Sequence, residues 1–260
     1  MSVSYCVSGR FANNLIQYFA AKVLCKLTGK KYEYKLRTHS QKLIGDIEYL
    51  KIYDNIKNNK ASLEGDILLT EFFQQKEWIL QEREYLLSLI LIDNEDSIND
   101  TYKVSDLAKA INENKNMSEN EELVIHVRLD DYFHQGHNSD VIDPYSLSDY
   151  INTLGFREHK IVCDVLRQEW ERKYMDILLK NIPNCKVVSN SLLEDFSIMY
   201  YAKNIVLSRS TFSWMASILS PYTINSWFPL REKMLYPNQT IDRINETTIN
   251  FTPKYLINKP

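Results

Sequence analysis

The stretch KVVSNSLLEDFSIMYYAKNIVLSRSTFSWMASIL, residues 186–219, decides the fold class of this chain. Short apolar runs at 186–189 and 205–208 are typical of buried strands, and each precedes a longer segment with helical spacing of apolar residues. Ser191 and Glu194 form a capping-box pattern, which predicts where the first of these helices begins. Strands that alternate with helices indicate a parallel sheet covered by helices, so we expect an α/β fold.

The alternation continues towards the N-terminus. LVIHVR (123–128) and HKIVCD (159–164) are typical of strands, and EWERKYMDILLKN (169–181) has the spacing of a helix. VSYCV (3–7) predicts a short strand that runs through a glycine turn into an amphipathic helix, for which Gly29 is the expected C-cap. Strand–turn–helix units therefore occur at both ends of the chain.

A polar segment separates these two regions. Residues 112–122, NENKNMSENEE, contain a single apolar side chain and are typical of a linker. With 260 residues, the chain is long enough for two small domains. We therefore expect an N-terminal domain at 1–120 and a C-terminal domain at 121–260.

Composition argues against several classes of protein. The formal net charge of −3 provides no general basic field, so a nucleic-acid partner is not expected. The four cysteines show no C-x-x-C spacing, which argues against a zinc site or a redox pair. We find no signal peptide and no apolar run of about 18 residues, so we expect a soluble cytoplasmic protein without a membrane span.

Charged side chains at one strand end predict a ligand site. Ligands of open α/β sheets bind outside the carboxyl ends of the strands. His126 and Arg128 alternate with apolar residues of one strand and should project on the same side, and Asp131 follows in the exit loop. The simpler interpretation is a salt bridge between Arg128 and Asp131 that closes a turn.

Two further strand ends carry groups suited to an anion. In LSRSTFSW (207–214) a strand runs directly into a helix, whose first N–H groups, hydroxyls and Arg209 could hold a phosphate. The simpler interpretation is that Ser210 or Thr211 is only an N-cap. At the end of the first strand, Gly9 would let the backbone approach a ligand closely.

Asp195 is a candidate for recognition of a base. It lies in the first turn of the helix that Ser191 opens. A carboxylate there favours the helix dipole, and it could also accept two N–H groups from the edge of a guanine.

In this order, these residues resemble the alpha-1,2-fucosyltransferase family and its alpha-1,6 relatives. HVRLDDY resembles the family's H-x-R-R-G-D-Y motif. The C-terminal segment resembles one that ends in S-N-S-T-F-S-W-W in the family, and the first segment resembles G-x-x-x-N-Q-x-x-Q-Y. The four matching segments lie at 8–29, 68–78, 126–132 and 195–219.

The resemblance implies a GT-B glycosyltransferase with two Rossmann-like domains facing a cleft. Residues 1–120 would form the acceptor-side domain and 121–260 the nucleotide-sugar donor domain, with a tail that could pack back on the first domain. The enzyme would be a hexosyltransferase of the galactoside alpha-1,2-fucosyltransferase type. It would move L-fucose from GDP-fucose to a glycan hydroxyl with inversion, and it would need no metal or other cofactor.

The resemblance also implies roles for individual residues. Arg128 would contact the donor diphosphate and be catalytic, and His126 would bind the donor. Asp195 would read guanine. The remaining donor-binding residues would be Gly9, Arg10, Asn13, Arg209, Ser210 and Thr211. As the general base we favour Asp131 over the other candidates of the same loop, which are His134, His137 and Asp140.

Four substitutions depart from the family pattern. Leu129 stands at the second arginine, Asp130 at the glycine, Arg209 at the asparagine and Met215 at the second tryptophan. Arg209 could restore the charge lost at Leu129. The departures leave open another nucleotide sugar as donor, or an inactive module that binds a nucleotide or glycan. A further alternative is a GT-A enzyme that uses Asp130 and Asp131 to hold a metal and takes a UDP-sugar.

Overall fold

The structure, a computed structural model, describes residues 1–35, 41–58, 62–92, 94–115, 121–129, 141–230 and 246–250. The chain divides into two compact units, Met1–Lys109 and Ala110–Pro260. The elements that begin in the first unit are β1 (Ser2–Tyr5), α1 (Phe11–Thr28), β2 (Lys31–Tyr32), β3 (Gln41–Ile44), α2 (Asp46–Lys57), β4 (Asp66–Leu69), α3 (Lys76–Gln81), α4 (Arg83–Leu91) and α5 (Val104–Glu113). The elements of the second unit are β5 (Leu123–Val127), α6 (Pro144–Thr153), β6 (His159–Cys163), α7 (Glu169–Asn181), β7 (Cys185–Val188), α8 (Leu192–Tyr201), β8 (Asn204–Val206), α9 (Thr211–Leu219), β9 (Asn225–Leu230) and β10 (Glu246–Asn250).

The first unit contains a four-stranded parallel sheet in the order β2-β1-β4-β3. Helix α1 follows β1 and buries apolar side chains such as Leu15, Ile16 and Phe19 completely. It ends at Gly29, whose left-handed backbone (φ 69°) lets its N–H reach the carbonyl of Cys25, so the C-cap prediction is confirmed. The connection from β1 to α1 places the Ser8–Arg10 turn at the carboxyl end of β1.

The second unit contains a six-stranded parallel sheet in the order β10-β9-β8-β5-β6-β7. All five residues of β5 are buried, as expected for a strand covered on both faces. Its Ile125 pairs with Val206 of β8 on one side and Ile161 of β6 on the other. The carboxyl ends of these three strands therefore meet at one edge. The α/β class with parallel sheets, expected from the sequence, is confirmed.

Several helices begin where the sequence predicted. Helix α7 has the expected bounds, 169–181. The capping box before α8 is present, because Ser191 Oγ accepts a hydrogen bond from the Glu194 N–H and the Glu194 carboxylate accepts one from the Ser191 N–H. Ser210 caps α9. These helix ends are fixed by hydrogen bonds between near neighbours in the chain, so a local sequence pattern can predict them.

The sequence left other elements unassigned. Strand β3 lies at an edge and buries only Ile44 completely, so it lacks an apolar signature. Helix α6 begins at Pro144, and the Asp143 carboxylate before it accepts a hydrogen bond of 2.8 Å from the Ser146 N–H. Aspartate followed by proline is a start signal that could have been read. Across the described ranges, no helix is both long and apolar enough to cross a membrane.

Candidate functional site

Polar side chains gather where three neighbouring strands of the second unit end. His126 is the fourth residue of β5, and Arg128 directly follows that strand. Asp164 follows β6, and Ser208 lies two residues after β8. Because the strands are adjacent and parallel, residues far apart in the chain come together here, as expected for a ligand site in an open α/β sheet.

His126 is buried and held from the side of β8. Its side chain is 5% exposed, and its Nδ1 lies 2.7 Å from the hydroxyl oxygen of Ser208. The Phe212 ring lies at a centroid distance of 5.7 Å. Burial lowers the pKa of the imidazole to about 3, so the ring is neutral at physiological pH. In this state the ring supplies one hydrogen-bond donor and one acceptor but no charge.

Arg128 is held from the side of β6, by Asp164, which directly follows that strand. Its Nη1 lies 2.9 Å from Asp164 Oδ2, and the two side chains are 10% and 50% exposed. The alternative partner that the sequence indicates for Arg128, Asp131 in a turn-closing salt bridge, lies outside the described residues. A nearly buried guanidinium beside a half-exposed carboxylate orients one cation towards the strand edge, where an anion could reach it.

The phosphate cradle suggested by the sequence coincides with the start of α9. Ser210 is its N-cap, and its Oγ accepts a hydrogen bond of 3.2 Å from the Phe212 N–H. Ser210 is therefore an N-cap, and its hydroxyl proton can also be donated to a ligand. Arg209, Ser210 and Thr211 are all half-buried. They lie at the positive end of a nine-residue helix dipole.

Asp195 is a carboxylate with an unusual pKa. It is 6% exposed, and its Oδ1 accepts hydrogen bonds from the Asn190 backbone N–H (3.2 Å) and side-chain Nδ2 (3.1 Å). Burial raises the pKa of Asp195 to about 6, with a smaller contribution from the charge of Asp164, against the opposing effect of the Asn190 hydrogen bonds. Buried carboxylates with raised pKa values often mark functional sites.

Two departures from the expected motif are core residues. Leu129 is 3% exposed and belongs to the apolar core of the second unit. Met215 is completely buried. An arginine at 129 would have to reach out of this core, so leucine here contributes packing rather than charge. The half-buried Arg209 keeps a second cation at an adjacent strand end.

The candidates of the first unit surround the turn after β1. Gly9 has a φ of 74°, Arg10 is the N-cap residue of α1, and Asn13 Oδ1 accepts a hydrogen bond of 3.0 Å from Gln74 Nε2. A Cβ on Gly9 would lie 2.3 Å from Asn13 Nδ2 and 3.0 Å from a ring carbon of Phe72. The left-handed backbone and the lack of space for a Cβ therefore both favour glycine at position 9.

We expect Gly9→Ala to destabilise the protein by about 2–3 kcal/mol, because the left-handed backbone and the displaced Asn13–Gln74 contact both cost free energy. Gly65→Ala is the matched control, since Gly65 has a φ of 72° with nothing within 4 Å of the added Cβ. It should cost only about 1–2 kcal/mol. Urea unfolding of both variants measures the difference. Equal losses would show that the close approach at Gly9 has no energetic weight.

Sequence reasoning missed two amides that hold this turn. Asn14 Nδ2 donates to the Ser8 carbonyl (2.8 Å), and Gln17 Nε2 donates to Ser8 Oγ and to the Glu71 carbonyl (both 2.9 Å). Asn14 is 2% exposed and Gln17 is completely buried. The sequence signal for these two residues is their position on the apolar face of an amphipathic helix. Buried amides need hydrogen-bond partners, so polar residues there indicate a hydrogen-bonded contact.

Sequence reasoning also missed Asp164 as a site residue, although it marks a strand end. Its contact with Arg128 follows from the pairing of β5 with β6. Other candidates cannot be placed, because Asp130, Asp131, His134, His137 and Asp140 lie outside the described residues. The favoured base therefore stays a prediction.

The fold and the edge just described are those of an α/β protein with polar side chains clustered at the carboxyl ends of its parallel strands. A comparison with family models matches residues 92–226 to "Glycosyl transferase family 11", and the chain belongs to this family. It is similar to the O-antigen biosynthesis glycosyltransferase WbnK of Escherichia coli, with 27% identity over 179 residues. The alignment covers 66% of this chain and 57% of that protein. No solved structure matches significantly.

Proposed function

We propose that this chain transfers L-fucose from GDP-fucose to a glycan hydroxyl, with inversion and an alpha-1,2 linkage. The observation that carries the proposal is the position of Arg128. It is a 10%-exposed cation at the carboxyl end of a central strand, in a chain that belongs to a glycosyltransferase family. We assign the two units as the domains of a GT-B enzyme, with the donor on the second and the acceptor on the first.

Arg128 would stabilise the leaving group. Transfer breaks the bond between the sugar C1 and the diphosphate oxygen, and negative charge grows on that oxygen as the bond breaks. A guanidinium held in place by Asp164, 2.9 Å away, needs little reorganisation to meet this charge. The N-terminus of α9, with Ser210 and Thr211, would hold the phosphates by N–H and O–H donors.

The acceptor hydroxyl must lose its proton as its oxygen attacks C1. We assign Asp131 as the carboxylate that takes this proton, which lets the attack proceed from the face opposite the diphosphate. Attack from that face inverts the configuration, so a beta-linked donor gives an alpha-linked product. Asp195 would accept the N–H groups of guanine in this mechanism and so select GDP over other nucleotides.

The similar protein supports a polysaccharide acceptor. WbnK is described as an O-antigen biosynthesis glycosyltransferase, so its printed name associates it with the assembly of O-antigen. We therefore propose a glycan of this kind as the acceptor. A cytoplasmic site of action stays a prediction from the sequence.

The first experiment is a thermal-shift comparison of GDP, UDP, CMP and dTDP. A ligand at 100 times its dissociation constant stabilises by about 2.7 kcal/mol, which corresponds to a rise in Tm of roughly 5–10 °C in a chain of this size. We expect this rise with GDP and much smaller rises with the other nucleotides. A rise with UDP alone would favour the GT-A alternative, and no rise with any nucleotide would contradict the proposal.

A transfer assay then separates enzyme from binding module. Radiolabelled GDP-fucose is incubated with a galactose-terminated oligosaccharide, with and without EDTA, and the product linkage is read by NMR. We expect an alpha-1,2 product at equal rates under both conditions. Binding of GDP without transfer to any of several terminal sugars would favour the inactive module, and loss of transfer in EDTA would contradict the metal-independent mechanism.

A further inference from the structure

The His126 ring has a buried partner that the proposed mechanism does not use. Ser208 is 3% exposed, and its Oγ lies 2.7 Å from His126 Nδ1. The two residues are 82 positions apart and meet because β5 and β8 are neighbours in the sheet. Both groups are almost completely removed from water, so this contact takes the place of solvation for each of them.

The contact decides which ring nitrogen carries the proton. Burial lowers the pKa of His126 to about 3, so the imidazole has one N–H donor and one acceptor nitrogen. The hydrogen bond at Nδ1 therefore fixes the role of Nε2. If the Ser208 hydroxyl donates to Nδ1, Nε2 carries the hydrogen and is a donor. If Nδ1 donates to Ser208, Nε2 is an acceptor.

We infer that Ser208 is a positioning residue whose hydroxyl donates to His126 Nδ1 and so presents Nε2–H as a hydrogen-bond donor to the anionic nucleotide. The direction of this bond rests on the proposed function. A lone pair on Nε2 would repel ionised phosphate oxygens, which only accept hydrogen bonds, whereas an N–H binds them. Because the ring stays neutral, it contributes direction without adding a second buried charge beside Arg128.

Ser208 also links two parts of the same edge. Its side chain is hydrogen-bonded to His126 of β5. Its backbone continues through Arg209 to Ser210, the N-cap of α9. Phe212, in the first turn of α9, lies against the His126 ring at 5.7 Å between centroids. A shift of the ring is therefore resisted from both the hydroxyl and the helix, which favours a single ring orientation.

The tautomer can be read directly by NMR. The chain has five histidines, so spectra of protein labelled with ¹⁵N-histidine are simple, and a His126→Gln variant assigns the signal of interest. We expect the wild-type protein to show a protonated Nε2 and an unprotonated Nδ1. Ser208→Ala should lose this fixed pattern, and Ser208→Thr should keep it because a hydroxyl remains. A protonated Nδ1 in the wild type, or an unchanged signal in Ser208→Ala, would overturn the inference.

Binding gives the second readout. By calorimetry we expect GDP affinity to fall about tenfold in Ser208→Ala and to stay within about threefold of wild type in Ser208→Thr, as for loss and retention of one hydrogen bond. Ser148→Ala is the matched control, because it removes another fully buried serine hydroxyl, one that donates to the Pro144 carbonyl. It should leave both GDP affinity and the His126 signal unchanged.

The NMR and binding readouts distinguish failure of the positioning role of Ser208 from failure of the proposed donor. If the wild-type protein does not bind GDP but shows the Ser208-dependent Nε2–H tautomer, the positioning role survives and the proposed donor is wrong. If GDP binds and Ser208→Ala weakens it no more than Ser148→Ala does, the positioning role is overturned and the proposed function stands.

Discussion

Arg128→Ala is expected to lower kcat for sugar transfer by about 10²–10³-fold, because the charge growing on the leaving diphosphate loses its preorganised donor. Folding should be preserved. The partner left behind, Asp164, is half-exposed, so water can solvate its carboxylate once the guanidinium is removed. Steady-state kinetics measures the loss, and circular dichroism checks the fold. Arg128→Lys should recover only part of the activity, since an ammonium lacks the planar fork of the guanidinium.

Arg157→Ala is the matched control for this variant. Arg157 lies in the same unit, is exposed, and its substitution also removes one positive charge. It should keep kcat within about twofold of wild type, since exposed charges far from a site act weakly through screened fields. If both variants lose activity equally, general charge rather than the position of Arg128 would account for the result. Wild-type turnover in Arg128→Ala would refute the catalytic assignment.

Asp195→Asn is expected to stabilise the protein above pH 6 while weakening GDP binding. The folded state raises the pKa of this carboxyl from 3.8 to about 6, so its favourable contribution to folding is complete below pH 3.8 and is lost as pH rises through 6. Asparagine carries no charge and avoids that loss. We expect a gain of about 2–3 kcal/mol at pH 8 and almost none at pH 3.5, measured by urea unfolding at both pH values.

The binding effect of this variant has the opposite sign. A hydrogen bond to a charged group contributes about 1.5–3 kcal/mol, so loss of the carboxylate should raise the Kd for GDP about 10- to 100-fold. In the wild type, GDP affinity should increase as pH rises through 6, where Asp195 ionises. Asp176→Asn, an exposed site on α7, is the control and should change neither property. Unchanged GDP affinity in Asp195→Asn would reject its assignment to guanine.

These two variants would divide the candidate site into its parts. Loss of turnover with GDP binding retained places Arg128 at the reacting bond. Loss of binding with a gain in stability places Asp195 among the groups that a protein keeps for function at a cost in folding free energy. Both results refer to side chains of the second unit, whose contacts the structure describes.

The sequence displayed the features that depend on near neighbours. The bounds of α7, the capping box of Ser191 and Glu194, and the C-cap at Gly29 all follow from side chains within one helical turn of each other. The α/β class followed from strands that alternate with helices. By contrast, the edge strand β3 has no such signature, because half of its residues are exposed and its pairing with β4 is what defines it.

The site shows the same division. The sequence by itself identified His126, Arg128 and Asp195 as polar groups at strand and helix ends. Polar side chains are rare in buried strands and helices, so they stand out from the apolar residues around them. Only the tertiary structure decided their partners. The order β8-β5-β6 brings Ser208 to His126 and Asp164 to Arg128, across separations of 82 and 36 residues. Strand order is set by how crossover helices pack on a sheet, and that order fixes which side chain the histidine and the arginine each contact.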